Sequence, residues 1–144
     1  MTEQEKQVQI QLLKSQHTKN INAIAKAKGE ARKLRMEEIV AATDAYCASK
    51  RAKLAEIDRV RMEKKQYDWN DPHRNELIEE ARMLEDHLGM MKTEHEAELH
   101  KINARLAAAM LELDNQQRDC EQWYEDQKAY IMSQKAEPKA EEAE

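Results

Sequence analysis

The chain has 144 residues, of which 37% are charged and 4% are aromatic, with two glycines, two prolines and a mean hydropathy of -1.01. This composition is typical of long helices or coiled coils, and it excludes a wide hydrophobic core because few large apolar side chains are present to fill one. No apolar run approaches the ~20 residues needed to cross a bilayer. Cys47 and Cys120 have no metal-ligand spacing and indicate a reducing compartment, so we expect a cytoplasmic protein, with cytoskeletal association as a further hypothesis.

The first predicted element is a long basic helix over residues 3–66. Between Gln4 and Gln66 there is no proline and one glycine, and apolar residues recur at helical spacing. The stripe is sparse in its first half, where His17 and Ala27 occupy positions that should be buried. Gly29 is interpreted either as a tolerated surface glycine or as a site of close helix packing. The apolar positions are Ile10, Leu13, Ile21, Ile24, Ala31, Leu34, Ile39, Tyr46, Leu54, Ile57 and Val60.

Residues 67–71 are predicted to form a bend between two helices. Pro72 has no amide hydrogen and its restricted φ suits the first position of a new helix, while Asp71 before it can act as the N-cap. Because the residue before a proline avoids the α region, the first helix should end a few residues earlier. We interpret Tyr67 and Trp69 as apolar caps over the exposed helix end, in preference to a ligand site.

A second, acidic helix is predicted over residues 72–135, followed by a disordered acidic tail over residues 136–144. The tail contains Pro138 and almost no apolar residue. Apolar side chains off the main stripe widen the apolar face beyond what one partner helix would cover, which predicts more than two helices in the final assembly. These are Ile78, Met83, Met90, Met110, Leu111 and Trp123. The stripe itself consists of Leu77, Ala81, Leu84, Leu88, Met91, His95, Leu99, Ile102, Leu106, Ala109, Leu113, Gln117, Cys120, Tyr124, Lys128 and Ile131.

The two predicted helices match in length and differ in charge, which favours an extended, coiled-coil-like antiparallel hairpin over a bent single rod. Residues 1–66 carry 15 Lys and Arg against 9 Asp and Glu, whereas residues 67–144 carry 9 against 20. The two helices therefore attract along their flanks, although each exposed pair contributes only about 0.2–1 kcal/mol. With the bend near Trp69, residues whose numbers sum to about 138 should face each other. This register pairs Gly29 with Ala107–Ala109 and Gly89 with Ala48 and Ser49.

No catalytic, cofactor-binding or metal-binding residue is predicted. The segment from His95 to His100 resembles the zinc motif HExxH but is one residue too long, so its histidines would project to different sides of a helix. No glutamate lies three residues before a histidine, as the di-iron helical bundles require. There is no glycine-rich loop for phosphate, and neither cysteine has the setting of a nucleophile. We therefore expect a protein that is not an enzyme, with His95 as a packed or pH-sensitive position in the stripe.

Basic residues cluster twice on the first helix and, with the two tryptophans, are the candidate partner-binding sites. One interpretation is a solvated face paired with the acidic second helix. The alternative is contact with another protein, either helical or presenting an acidic polymer surface. Nucleic-acid binding is disfavoured because no aromatic residues interleave with the charges. The candidates are Lys26, Lys28, Arg32, Arg35, Lys50, Arg51, Arg59, Arg61, Trp69 and Trp123.

The combined pattern predicts a structural protein rather than a catalyst. The first hypothesis is a scaffold hairpin that packs as a homo- or hetero-oligomer into a larger filament or multi-protein assembly, with a cytoskeletal or axonemal filament as the specific suggestion. The alternative is a binding or regulatory module, in which the hairpin acts as a clamp, a chaperone-like holdase or an adaptor. The sequence pattern alone is shared by a single hairpin, a dimer of hairpins and one strand of a mixed bundle.

Overall fold

The computed structural model describes residues 2–134, which form two α-helices joined by a short turn. Helix α1 spans Glu3–Lys64 and helix α2 spans Pro72–Ser133. The two helices pack against each other, which confirms the predicted fold class of an antiparallel hairpin of two long helices. Helix α1 ends at Lys64 rather than at residue 66, and α2 ends at Ser133 rather than at residue 135. The tail predicted over residues 136–144 lies outside the described residues.

Each helix begins with a side-chain cap. The Thr2 Oγ1 accepts a 3.1 Å hydrogen bond from the backbone N–H of Glu5, and the Glu5 carboxylate accepts a 3.2 Å bond from the N–H of Thr2. This reciprocal pair is a capping box. At α2, Asp71 Oδ1 accepts a 2.9 Å bond from the N–H of His73, with Pro72 as the first helical residue. The predicted N-cap at Asp71 is therefore confirmed.

The two aromatic residues in the turn between the helices differ in burial. Tyr67 packs against the cluster of Val60, Leu77 and Ala81, as the capping interpretation predicted. Trp69 is 80% exposed, so that interpretation is wrong for this ring. The reason is local, because the N–H of Asp71 donates to the carbonyl of Asp68 and closes a tight turn with Trp69 at one of its two central positions.

By their internal contacts, the described residues fall into two compact units. The terminal unit combines residues 2–33 of α1 with residues 106–134 of α2, and its buried side chains include Leu13, Ile24 and Ile131. The turn unit comprises residues 34–105. Its buried side chains include Ile57, Val60, Leu77, Ala81 and Ile102. Each unit therefore has an apolar contact between one segment of α1 and one segment of α2.

The predicted stripe on α2 is confirmed, and that on α1 is partly wrong. Each of the α2 stripe positions is buried or half-buried. On α1, Leu34 and Leu54 are 55% and 39% exposed, whereas the adjacent Arg35 and Lys53 are half-buried. The helical repeat places positions 31, 35, 39, 42 and 46 on one side, so residue 34 falls outside it. The aliphatic stems of arginine and lysine can cover apolar surface at such positions while their charged ends stay in water.

The helix register differs from the predicted one. The stacked ring pairs His17 with Tyr124 and Tyr46 with His95 each have residue numbers that sum to 141, so facing residues lie three positions further along than predicted. A β-carbon added to Gly29 would meet no atom within 4 Å, so its close-packing interpretation is wrong. Gly89 is equally open. The interlocking side chains of the stripes, rather than the midpoint of the bend, set this register.

Candidate partner-binding surface

Lys28 joins the two helices within the terminal unit. Its Nζ lies 2.7 Å from the carboxylate of Asp114 and donates a 2.9 Å hydrogen bond to Gln117 Oε1. The hydrogen bond from Lys28 lowers the pKa of the Asp114 carboxyl from its usual range, with smaller contributions from the charges of Arg118 and Arg32. For Lys28, the interpretation as a residue paired with the acidic second helix is therefore supported.

Two further candidates pair across the hairpin within the turn unit. Arg35 Nε donates a 2.7 Å hydrogen bond to Asn103 Oδ1, and the Arg61 guanidinium forms an ion pair with Glu85. At a third pair the cation is on α2 and the carboxylate on α1, since Arg105 lies 2.8 Å from Glu38. Two of these pairs, Arg61 with Glu85 and Arg105 with Glu38, join opposite charges across the hairpin, although such exposed pairs are individually weak.

The remaining basic candidates are exposed along α1. Lys50 Nζ lies 6.0 Å from the centroid of the Tyr46 ring, Arg51 donates to the carbonyl of Cys47, and Arg59 Nη1 lies 3.8 Å from Glu63. All of these contacts are made within one helix. Lys26 and Arg32 are also exposed. Contact between these five basic residues and an external surface stays a prediction.

The ion pair of Lys28 gives a test by titration. We expect Lys28→Ala to raise the pKa of Asp114, because the donor that lowers it is lost. In the unchanged protein, the lowered pKa means that Asp114 stabilises the fold above its unfolded-state pKa, and that this contribution is lost as pH falls through the folded-state pKa. An NMR titration of the Asp114 carboxyl carbon measures the change. The exposed Lys26→Ala variant is the control, and an unchanged Asp114 titration in Lys28→Ala would contradict the assignment.

Each unit contains one histidine stacked on one tyrosine across the two helices. The ring centroids of His17 and Tyr124 are 4.4 Å apart with an interplanar angle of 17°. Those of Tyr46 and His95 are also 4.4 Å apart, with an angle of 3°. The Nδ1 atom of His17 is buried and has no hydrogen-bond partner among residues 2–134. The expectation that His95 is a packed position in the stripe is thus confirmed.

The two stacked pairs belong to an internal repeat with an offset of 78 residues. In both units, a histidine is followed on the same helix by branched apolar residues four and seven positions later, and each tyrosine is followed by a lysine four positions later. The lysine ammonium groups lie at matching distances of 6.0 and 5.9 Å from the tyrosine ring centroids. Sequence reasoning missed this repeat, although its signal was present. Its members are His17, Ile21, Ile24, Tyr46 and Lys50, matched by His95, Leu99, Ile102, Tyr124 and Lys128.

An open depression lies next to each repeat. In the terminal unit it has a volume of about 510 Å³ and is lined by a set that we call the Trp123 patch, consisting of Gln16, Asn20, Asp119, Cys120 and Trp123. In the turn unit it has a volume of about 320 Å³ and we call it the alanine depression, whose lining includes Ala42, Ala45, Tyr46, Glu94, His95 and Glu98. The same offset of 78 residues relates Gln16 to Glu94, Asn20 to Glu98, Cys120 to Ala42 and Trp123 to Ala45. At these four equivalent positions, the Trp123 patch has two amides, a cysteine and a tryptophan. The alanine depression has two glutamates and two alanines in their places.

Apolar side chains are exposed along both helices to an unusual extent. Among residues 2–134, fifteen large apolar side chains are exposed, against eight hydrophobic residues that are buried. Five of the six predicted off-stripe residues are among the exposed ones, namely Ile78, Met83, Met90, Leu111 and Trp123, whereas Met110 is half-buried. Large apolar surface of this kind, when contiguous, is typical of a region that another molecule covers.

The structure gives three further findings about the described residues. No group of three or more His, Cys, Asp and Glu side chains between residues 2 and 134 could hold a metal ion. His100 is exposed while His95 is half-buried, so the segment that resembles HExxH does not present both rings on one side. Neither helix is both long and apolar enough in any stretch to cross a membrane.

Comparison with known proteins gives no assignment of family. No protein-family model matches the sequence, and no curated protein and no solved structure shows significant similarity to it.

Proposed function

We propose that this protein is a non-enzymatic scaffold hairpin that packs into a larger filament or multi-protein assembly. The observation that carries the proposal is the excess of exposed over buried apolar side chains in residues 2–134, fifteen against eight. Two helices that pair only with each other cover one stripe on each, and the remaining apolar surface is costly to leave in water, at roughly 25 cal/mol per Å². Further helices packed on this surface would cover it.

The composition of the exposed surface also supports an assembly. Methionine and aromatic side chains are enriched at protein interfaces, and the exposed set includes Met36, Met83, Met90, Trp123 and Tyr130. The exposed basic residues on α1 supply charge that selects an acidic partner rather than much affinity. A cytoskeletal or axonemal filament is the kind of assembly that we propose, since its surface is acidic and its components are long.

A second candidate function is a binding module whose contact lies at the turn. It is favoured by Trp69, which is 80% exposed and has no packing role in the hairpin. Exposed tryptophan is a frequent anchor residue at interfaces. In that case, the hairpin acts as a clamp or adaptor that presents its turn to a client.

Proximity crosslinking in cells, followed by identification of the neighbours, tests both candidates. A scaffold should give a small, constant set of neighbours linked along both helices, and the chain should sediment in lysates as part of a large complex. The binding module should give neighbours linked mainly near the turn, and Trp69→Ala should remove them. A chain that sediments as a free monomer in lysates and shows no constant neighbour would contradict the scaffold.

A further inference from the structure

The two sites differ in side-chain size at equivalent positions. In the Trp123 patch, Trp123 is 42% exposed, so a large part of its indole ring is available to another molecule. In the alanine depression, the equivalent position is occupied by Ala45, which is exposed, beside the half-buried Ala42. A large side chain on one surface and a small-residue hollow on the other is the arrangement of a knob and its hole.

At positions related by the repeat, amides at one site correspond to carboxylates at the other, and Asp119 adds a carboxylate to the Trp123 patch. The Trp123 patch contains the side-chain amides of Gln16 and Asn20, which can donate hydrogen bonds. At the equivalent places, the alanine depression has the carboxylates of Glu94 and Glu98, which only accept. When Trp123 faces Ala45 and α1 of one copy lies over α2 of the other, the amides on α1 come to lie opposite the carboxylates on α2.

The charges of the helix segments favour the same arrangement. Residues 2–33 carry 7 Lys and Arg against 3 Asp and Glu, and residues 72–105 carry 5 against 8. These are the segments of Gln16 and of Glu94, respectively. Residues 106–134 carry 2 against 6, whereas residues 34–64 carry 7 against 6. These are the segments of Trp123 and of Ala45. Each segment of one surface thus meets a segment of opposite net charge on the other.

From these three features we infer that the Trp123 patch of one copy binds the alanine depression of a second copy of this chain. The indole ring packs on the Tyr46 and His95 ring pair between Ala42 and Ala45. Because the two surfaces differ, the contact is heterologous, and each copy carries both halves of it. A heterologous contact of this kind can close into a ring of copies or continue from copy to copy as a filament. The inference deepens the proposed scaffold function and rests on it for the biological role of the contact.

Sedimentation velocity of the purified full-length chain, over a wide range of concentration, is the experiment that tests this contact. The unchanged protein should self-associate. Trp123→Ala should weaken the association on the order of 30-fold, as expected for loss of an interfacial tryptophan anchor. Trp69→Ala is the matched control, since Trp69 lies in the turn, and it should leave the association constant unchanged. Circular dichroism should show the same helical content in both variants.

Mixing two defective variants distinguishes this contact from a symmetric one. Ala45→Trp fills the depression and leaves Trp123 intact, whereas Trp123→Ala keeps the depression and loses the ring. At a concentration at which the unchanged protein associates and Trp123→Ala does not, each variant should be monomeric alone, and an equimolar mixture should form heterodimers because one complementary contact is restored. Ala55→Trp, a substitution at an exposed position of α1 outside the depression, should associate as the unchanged protein does.

Several results would overturn the inference. These are a monomeric unchanged protein at all concentrations, equal weakening by Trp123→Ala and Trp69→Ala, or a mixture of the two defective variants that stays monomeric. The scaffold proposal is judged separately by the neighbours found in cells. A purified chain that is monomeric, together with constant neighbours in cells, would reject the self-contact and support the scaffold. A purified chain that self-associates, without other neighbours in cells, would support the self-contact and reject the scaffold.

Discussion

Val60→Asp is expected to destabilise the turn unit by about 3–5 kcal/mol, because a carboxylate would be buried there without a partner. Val60 is 0% exposed and packs with Leu77 and Ala81, with Tyr67 and Leu84 against the same cluster. Urea unfolding followed by circular dichroism measures the loss, and amide hydrogen exchange shows whether it is confined to residues 34–105.

Val40→Asp is the matched control for this substitution. It makes the same chemical change on the same helix and in the same unit, but Val40 is 50% exposed. A surface substitution of this kind usually changes the free energy of unfolding by no more than about 0.5 kcal/mol. Equal destabilisation by the two variants would mean that the burial of Val60 does not support the turn unit.

Ile102→Ala should lower the free energy of unfolding by about 2–4 kcal/mol, through the lost transfer of apolar atoms and the cavity left behind. Ile102 is 2% exposed on α2. Alanine has the higher helix propensity, so the loss measured at Ile102 comes from packing and not from a weakened helix.

The control for Ile102 is Ile78→Ala, which makes the same change on the same helix. Ile78 is 45% exposed, and the gain in helix propensity should leave this variant as stable as the unchanged protein or slightly more stable. Thermal unfolding of both variants gives the comparison. If Ile78→Ala proves the more damaging, the buried stripe of α2 has been assigned to the wrong side of the helix.

A substitution at Ile78 also tests assembly independently of folding. Like Met83 and Met90, Ile78 is exposed in the hairpin and belongs to the surface that we propose is covered in an assembly. Substitutions at such positions should therefore leave the isolated hairpin folded while altering what the chain binds. Substitutions at Val60 or Ile102 should instead unfold the hairpin, and any loss of binding should follow from that unfolding.

The sequence determined the helices, their junction and the buried side of α2. Low glycine and proline content allowed both helices to run without interruption, and Asp71 with Pro72 set the start of α2 through local hydrogen bonding and restricted φ. The α2 stripe was readable because a helix in contact with one partner buries residues at regular intervals of three and four. These features depend on residues close together in the chain.

Only the tertiary structure decided how the helices meet. The register depends on which side chains interlock across the hairpin, so neither the sum of 141 nor the stacking of His17 on Tyr124 followed from spacing along one helix. Spacing along the helix also did not show that Leu34 is exposed and that the neighbouring Arg35 is half-buried in the stripe. Trp69 was exposed by the closure of its own turn. The structure also places Trp123 and Ala45 at equivalent positions beside the two stacked ring pairs, although these residues lie far apart in sequence.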